Sequence, residues 1–209
     1  LLFHYWWDFG SGTLGNFGCH TLDTAVWALE LGHPAMVEAS STPLNDETTP
    51  AAAMYHWKFP ARGARPPVDL FWYDGGLAPP RPDCLEPERD LPREGGSLIV
   101  GDKGALLSGV WSASPRIIPE KRMQEVRLPP RTIPRSEGHH RDWINACKGG
   151  APASANFEYG ARLTEIVLLG VAALRVGATL HWDGPNMKAI NAPQAEPFLH
   201  GHFRKGWEI

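Results

Sequence analysis

A histidine near the N-terminal end of the chain has neighbours that suit proton transfer. His20 follows a glycine-rich turn and lies at the start of a predicted helix, with Asp23 three residues later. Imidazole titrates near neutral pH and exchanges protons at both ring nitrogens, so His20 can accept the proton of a substrate hydroxyl. Asp23 falls on the same helical face and is expected to orient His20 or to anchor a neighbouring loop. The structural alternative is that His20 only hydrogen-bonds a loop carbonyl.

Two further groups of side chains are candidates for the same cleft. Trp6, Trp7 and Asp8 could form a stacking platform and a hydroxyl acceptor for a sugar, or they could be core aromatics beside a turn aspartate. A later helix opens with two histidines and an aspartate, for which capping and a solvated surface form the competing interpretation. These residues are His139, His140 and Asp142. The sequence leaves both alternatives open.

The cysteines and histidines lack the pattern of a metal site. Cys19, Cys84 and Cys147 are widely spaced and include no Cys-x-x-Cys pair, which argues against a disulfide framework and a zinc site. His4, Cys19 and His20 have no recognisable ligand spacing. We therefore expect free thiols, a reducing compartment and no bound metal.

The glycine-rich turn matches a dinucleotide-binding motif in its letters but not in its context. Residues 10–15 read Gly-Ser-Gly-Thr-Leu-Gly, and Glu38 follows about 20 residues later, as in the G-x-G-x-x-G fingerprint. The preceding residues 4–8, His-Tyr-Trp-Trp-Asp, are too polar and bulky for a parallel strand buried on both faces. The glycines are instead expected to allow a sharp turn and a close approach to a ligand, so we assign no cofactor-binding residue.

Periodicity predicts the elements that must position these residues. Residues 16–31 are predicted to form a helix that Gly32 and Pro34 terminate. Three short segments rich in Val, Tyr, Trp and Phe then predict successive strands, at residues 35–41, 51–60 and 68–74. Because no crossover helix separates them, they do not form a Rossmann half.

The remainder of the chain predicts loops, a hairpin and two helices. A Pro-rich loop at residues 75–96 is long enough to cover a site, and a second Pro-rich stretch covers residues 115–134. A hairpin at residues 97–111 turns at residues 101–104. Helices at residues 139–148 and 159–176 are expected to pack on the sheet, followed by a strand at 179–182 and an irregular tail to residue 209 with a turn of helix after Pro193. This order predicts an α+β fold with antiparallel pairing.

Composition argues against two classes of partner. The chain has 209 residues, 43% of them hydrophobic, and a net charge of -3, which suits one domain around one core. Its Lys and Arg residues are scattered, so we expect no nucleic-acid partner. The longest apolar run, at residues 166–174, is far shorter than the roughly 20 residues that span a bilayer, so we expect no membrane partner. The expectation is a soluble, cytoplasmic protein, unless an export signal precedes Leu1.

One long segment carries a recognisable pattern. Residues 6–23 read Trp-Trp-Asp-Phe-Gly-Ser-Gly-Thr-Leu-Gly-Asn-Phe-Gly-Cys-His-Thr-Leu-Asp. With this segment the sequence resembles the Gfo/Idh/MocA family of oxidoreductases, the group of glucose-fructose oxidoreductase and inositol dehydrogenase. Residues 163–170, 180–183 and 203–207 also look like the C-terminal pattern of the family's bacterial branches. All of these segments belong to the second domain of that family.

The resemblance implies a particular domain organisation. Members of the family have an N-terminal Rossmann domain with a Glu-Lys-Pro motif, whose Lys is catalytic, and that domain is not found in these residues. Residues 1–209 would then be the C-terminal substrate-binding and oligomerisation domain, built on a large open, mainly antiparallel sheet. NAD or NADP would be bound mainly by the absent domain, and homo-oligomers would form through the open sheet face.

The resemblance also implies roles for individual residues. His20 takes the place of the catalytic His that faces the substrate, whereas Asn16 stands where the family usually has Asp. An amide can hydrogen-bond a hydroxyl but cannot take its proton. The expected function is therefore NAD(P)-dependent oxidation or reduction of a sugar, polyol or related carbohydrate. The alternative is a non-catalytic sugar-binding or oligomerisation module.

Overall fold

The computed structural model describes residues 2–201 and 203–207 of the chain; residue 1 and the tail positions 202, 208 and 209 lie outside the described residues. The α-helices are α1 (Gly12–Thr21), α2 (Asp23–Ala28), α3 (Glu120–Glu125), α4 (His139–Cys147), α5 (Phe157–Val176) and α6 (Glu196–Leu199). The strands are β1 (Met36–Ser41), β2 (Ala53–Phe59), β3 (Val68–Tyr73), β4 (Gly96–Gly101), β5 (Gly104–Gly109), β6 (Arg116–Ile118), β7 (Leu180–Asp183) and β8 (Lys188–Ala189). Short 3-10 turns occupy Phe3–Tyr5, Val110–Ser112, Gly184–Asn186 and Pro193–Ala195.

The strands form two antiparallel sheets. The larger sheet has five strands in the order β3-β2-β1-β7-β8, and the smaller has three in the order β4-β5-β6. β7 joins the larger sheet beside β1 although more than a hundred residues separate them. The predicted α+β class with an open antiparallel sheet packed by helices is thereby confirmed.

The core lies between the larger sheet and α5. Alternate residues of β2 are buried, and Trp57 is fully enclosed, as expected for a strand with one face on a core. The Trp57 indole Nε1 donates a 2.9 Å hydrogen bond to the Ile166 carbonyl of α5. Gly170 makes this contact possible, because a Cβ there would lie 2.6 Å from the Trp57 ring. The helix and the sheet are therefore packed at close range.

Local sequence explains where α5 begins and ends. The Asn156 side chain accepts a 3.0 Å hydrogen bond from the Tyr159 backbone N–H, which caps the first turn. Gly177 ends the helix in the left-handed conformation, with φ of 65°. Among the described residues, none of the helices combines the length and the apolar character that a membrane span needs.

The other face of the larger sheet is open to solvent. At its centre His56 lies between two carboxylates, with Nδ1 2.9 Å from Glu38 Oε1 and Nε2 2.7 Å from Asp69 Oδ1. The Phe71 ring stacks on His56 at 4.2 Å and is 44% exposed. We call this surface of β1, β2 and β3 the outer face.

Three features differ from the sequence-based prediction. The predicted helix at residues 16–31 begins four residues earlier and is divided into α1 and α2 at Leu22. The Pro-rich stretch at residues 115–134 contains β6 and α3, which were not predicted. The expectation that both C-terminal helices pack on the sheet is wrong for α4, because none of its residues is buried and Trp143 is 63% exposed. The apolar side of α4, which includes Trp143 and Ile144, remains exposed instead of facing a sheet.

The Pro-rich loop at residues 75–96 covers the smaller sheet. Its Leu85 side chain is buried with Ala105, Leu107 and Ile118 in a second, minor core. Arg81 Nη2 donates to the Leu85 carbonyl at 3.0 Å and holds the loop closed on itself. The loop therefore stabilises β4, β5 and β6 as a unit.

Candidate functional site

Helix α1 presents His20 to solvent. The opposite side of the helix is buried at Leu14 and Gly18 and packs on α5. A Cβ at Gly18 would lie 2.8 Å from Val167 Cγ2, so the glycine permits the close contact of the two helices. His20 and Asn16, four residues apart, are both exposed and share the outward side of the helix.

A tryptophan from the smaller sheet lies against His20. The Trp111 ring meets the His20 ring edge to face, with centroids 4.7 Å apart and an interplanar angle of 77°. Trp111 nevertheless keeps 59% of its surface exposed. It occupies the turn after β5 in a left-handed conformation with φ of 61°. Sequence reasoning missed this residue, because 91 positions separate it from His20 and only the packing of the two units brings them together.

Hydroxyl groups fix the smaller sheet to the helices beside His20. The Thr24 and Ser112 hydroxyl oxygens are hydrogen-bonded to each other. Ser97 Oγ of β4 donates to the Thr21 carbonyl at 3.1 Å. These bonds place an exposed indole, an imidazole and two hydroxyls on one surface, which we call the His20 face: Asn16, His20, Thr24, Trp111 and Ser112.

Asp23 anchors α5 rather than His20. Its Oδ1 accepts a hydrogen bond from the Tyr159 hydroxyl in the first turn of α5. Burial and the Asp23 carboxylate raise the pKa of Tyr159 above its ordinary value, because both disfavour the phenolate. Cys19, one turn before Asp23, also has a raised thiol pKa, chiefly because it is partly buried. Asp23 therefore contacts a structural partner, and its effect on His20 is indirect.

The predicted stacking platform makes its contacts elsewhere. Trp7 donates from its backbone N–H to the Glu47 carbonyl at 2.9 Å and packs on the main core. The Arg175 guanidinium lies 4.4 Å from the Trp7 ring centroid. Trp6 forms an isolated antiparallel bridge with Thr48, and Asp8 is exposed. The contacts of the two tryptophans lie with residues 45–48 and α5, not with the His20 ring.

The polar residues of α4 contact each other and residues of the flanking loops. The His139 and His140 rings lie 4.1 Å apart. Asp142 Oδ2 accepts a 2.8 Å hydrogen bond from Ser136 Oγ. Across residues 2–201 and 203–207, no group of three His, Cys, Asp or Glu side chains could hold a metal ion.

The glycine-rich turn does not have the geometry of a dinucleotide site. It follows a 3-10 turn and an isolated antiparallel bridge, whereas the fingerprint joins a parallel strand to a helix. A Cβ at Gly10 would lie 2.6 Å from His4 Cα, and one at Gly12 would lie 2.8 Å from Thr49 Cγ2. The glycines thus approach the chain's own atoms closely, and this turn does not fit a pyrophosphate.

Two of the C-terminal segments that carried the family resemblance, residues 163–170 and 180–183, meet at Glu165. Its side chain is only 7% exposed. Trp182 Nε1 donates to Glu165 Oε1 at 2.7 Å, and His33 Nδ1 lies 2.6 Å from the same oxygen. This cluster links α5, β7 and the loop after α2, so it supports the fold behind the His20 face.

Comparison with known proteins identifies the fold only. No family model matches the sequence, and no curated protein matches it either. The structure is similar to that of an NAD-binding protein from Listeria innocua, with 12% identity and a TM-score of 0.50. The match covers 81% of this chain and 47% of that protein, so the chain spans about half the length of its structural neighbour.

Proposed function

We propose that this chain is the C-terminal, substrate-binding domain of an NAD(P)-dependent oxidoreductase of the Gfo/Idh/MocA type that acts on a sugar, polyol or related carbohydrate. The observation that carries the proposal is the exposed His20 on α1, which shares one surface with an indole and hydroxyl groups. The likeness of the chain's structure to about half of an NAD-binding protein supports the same assignment.

His20 is the proton acceptor in this proposal. Oxidation of a secondary alcohol requires a base that takes the hydroxyl proton while hydride leaves the carbon. The exposed imidazole of His20 can take that proton, and the amide of Asn16, one turn earlier, can hold the hydroxyl by a hydrogen bond. Asp23 contributes indirectly, by fixing to α5 the start of α2, which directly follows the helix that carries His20.

In this proposal a nicotinamide would accept the hydride, and a separate nucleotide-binding domain would hold it. The turn at Gly10 and Gly12 lacks the strand-to-helix context of a pyrophosphate site, and its glycines lie close to the chain's own His4 and Thr49. The reading frame upstream of Leu1 provides the first check. A Rossmann domain with a Glu-Lys-Pro motif encoded there supports the proposal.

The decisive experiment is an activity assay of the longer enzyme, in which this chain is joined to the proposed nucleotide-binding domain. A panel of sugars, inositols and linear polyols is incubated with NAD or NADP, and formation of the reduced nicotinamide is followed by absorbance. Oxidation of at least one member that is lost in His20→Ala supports the proposal. Absence of activity with every member and both cofactors contradicts it.

A second candidate is a non-catalytic sugar-binding or oligomerisation module. Asn16 favours it, because an amide stands where the resembled family has a carboxylate, and the exposed Phe71 on the outer face offers a surface for a second copy. This candidate predicts that the 209-residue chain is stable alone. Limited proteolysis tests it: rapid cleavage and aggregation argue against a self-sufficient module.

A further inference from the structure

The turn that carries Trp111 has an unusual backbone. Trp111, Ser112 and Ser114 have φ values of 61°, 59° and 47°, in the left-handed region that residues with side chains rarely occupy. The turn is nonetheless closed, since Gly109 N–H donates to the Ala113 carbonyl at 2.8 Å. Such strain persists only where the surrounding structure holds it, and it is typical of functional sites.

The strained backbone determines where the indole points. Ser112 is tied through its hydroxyl to Thr24 of α2, four residues after His20, so the turn is held beside the C-terminal end of α1. Trp111 contacts the His20 ring yet remains 59% exposed, so a large part of its aromatic surface is free beside the imidazole. Trp111 thus offers a flat aromatic surface directly beside the imidazole of His20.

We infer that Trp111 is a specificity-determining residue that selects ring-shaped polyols for the His20 face, with Thr24 and Ser112 as the hydroxyl-binding edge. A flat indole surface packs against the apolar C–H face of a ring. An open-chain polyol has no such flat face and loses more conformational entropy when it is ordered. The inference rests on the proposed function, because it assigns a substrate class to the same surface.

Binding measurements on the 209-residue chain test this role. The ring probes are methyl β-D-glucopyranoside and myo-inositol, and the open-chain probe is D-sorbitol, each titrated by ligand-observed NMR. We expect wild type to bind at least one ring probe more tightly than sorbitol. Trp111→Gly should weaken ring binding roughly ten-fold, as loss of a well-placed aromatic contact does. Glycine adopts a φ of 61° freely, so the melting temperature should not fall.

Two further variants make the outcome unambiguous. Trp111→Tyr retains a flat ring and should bind the ring probes within a few-fold of wild type, whereas Trp143→Ala removes a similarly exposed tryptophan from α4 and should change nothing. Unchanged ring binding in Trp111→Gly, or equal weakening of sorbitol, overturns the selectivity role but leaves the proposed function standing. If wild type binds none of the three probes, this inference fails, whereas the proposed function is decided separately by the activity assay of the longer enzyme.

Discussion

His20 and Asn16 stand on the outward side of α1, where their side chains can meet a ligand without breaking the core. Both are exposed, while Leu14 and Gly18 on the other side of the helix hold it to α5. Substitution of the exposed pair is therefore expected to change chemistry more than stability. At this scale the proposal gives proton transfer to His20 and hydrogen bonding of the substrate hydroxyl to Asn16.

His20→Ala should lower kcat by roughly 10²- to 10⁴-fold in the longer enzyme, the usual contribution of a positioned acid or base. Alanine is a good helix former, so the melting temperature should stay the same. Steady-state kinetics with the best polyol and a thermal melt provide the two readouts. His181→Ala, another exposed histidine on β7, serves as the control. Near wild-type kcat in His20→Ala would return His20 to a structural role.

Asn16→Asp should keep or raise activity and shift the pH–rate profile. A carboxylate one turn from His20 favours the protonated imidazole and adds a group that titrates in its own right. The measurement is kcat/KM across the pH range for both proteins. Asn145→Asp, which adds a carboxylate to exposed α4, should leave the profile unchanged. Reduced activity with an unaltered profile argues against an ancestral carboxylate at this position.

At the scale of elements, the position of the His20 face depends on how α1 and α2 are held by α5. Two kinds of contact do this: close packing at Gly18 against Val167, and the Tyr159–Asp23 hydrogen bond. The smaller sheet is then tied to the same helices through Ser97 and Ser112. A substitution that weakens the contacts of α1 and α2 with α5 should therefore displace both His20 and Trp111.

Tyr159→Phe should lower the free energy of unfolding by about 1–2 kcal/mol, because Asp23 loses its hydrogen-bond donor in a partly buried position. Urea unfolding at neutral pH measures the change. Tyr73→Phe is the matched control, since the Tyr73 hydroxyl makes no hydrogen bond within the described part of the chain. Equal stability of the two variants would show that the Asp23 contact contributes nothing.

Tyr159 is also expected to make the stability of the fold depend on pH in the alkaline range. Burial and Asp23 raise the pKa of Tyr159 in the folded protein above the unfolded value of about 10. A raised folded pKa means that the stabilisation is complete below the unfolded pKa and is lost as pH rises through the folded one. Stability should therefore fall more steeply above pH ~10 in wild type than in Tyr159→Phe. If the free energy of unfolding changes with pH in the same way in both proteins, this assignment is wrong.

For the whole molecule, the outer face of the larger sheet is the candidate surface for assembly. Its charged centre is internally paired, since His56 lies between Glu38 and Asp69. Phe71 stacks on that histidine and remains 44% exposed. A surface that holds His56 between two carboxylates and exposes an aromatic ring suits a second copy of the chain, so we propose a homo-oligomer through this face.

Phe71→Lys should shift the protein toward the monomer, because the substitution removes the exposed aromatic ring and a charge is costly to bury in an interface. Light scattering coupled to size-exclusion chromatography gives the mass of each species. Phe157→Lys provides the control, since Phe157 is 93% exposed at the start of α5 and lies off the outer face. A wild type that is monomeric at all concentrations, or a mass unchanged by Phe71→Lys, contradicts this use of the face.

Local patterns in the sequence were enough to predict the fold class and most of the elements, although not β6 and α3. Alternation in β2, the apolar length of α5 with Gly177 after it, and the glycine turn between β4 and β5 are short-range signals. They act within a few residues, so periodicity and turn chemistry reveal them. The antiparallel α+β fold followed from their order. That His20 and Asn16 share one helix face also follows from their spacing of four.

Tertiary structure alone decided which residues surround His20. Thr24 and Ser112 are 88 residues apart, and Asp23 and Tyr159 are 136 apart, yet each pair is hydrogen-bonded. Partners at such separations depend on how the smaller sheet and α5 dock on the helices, and no local pattern encodes that docking. The same reason explains why Trp111 went unpredicted, why Trp7 lies against Arg175 instead, and why α4 remains exposed. Sequence determines which faces are apolar, whereas packing of the whole chain determines what each face meets.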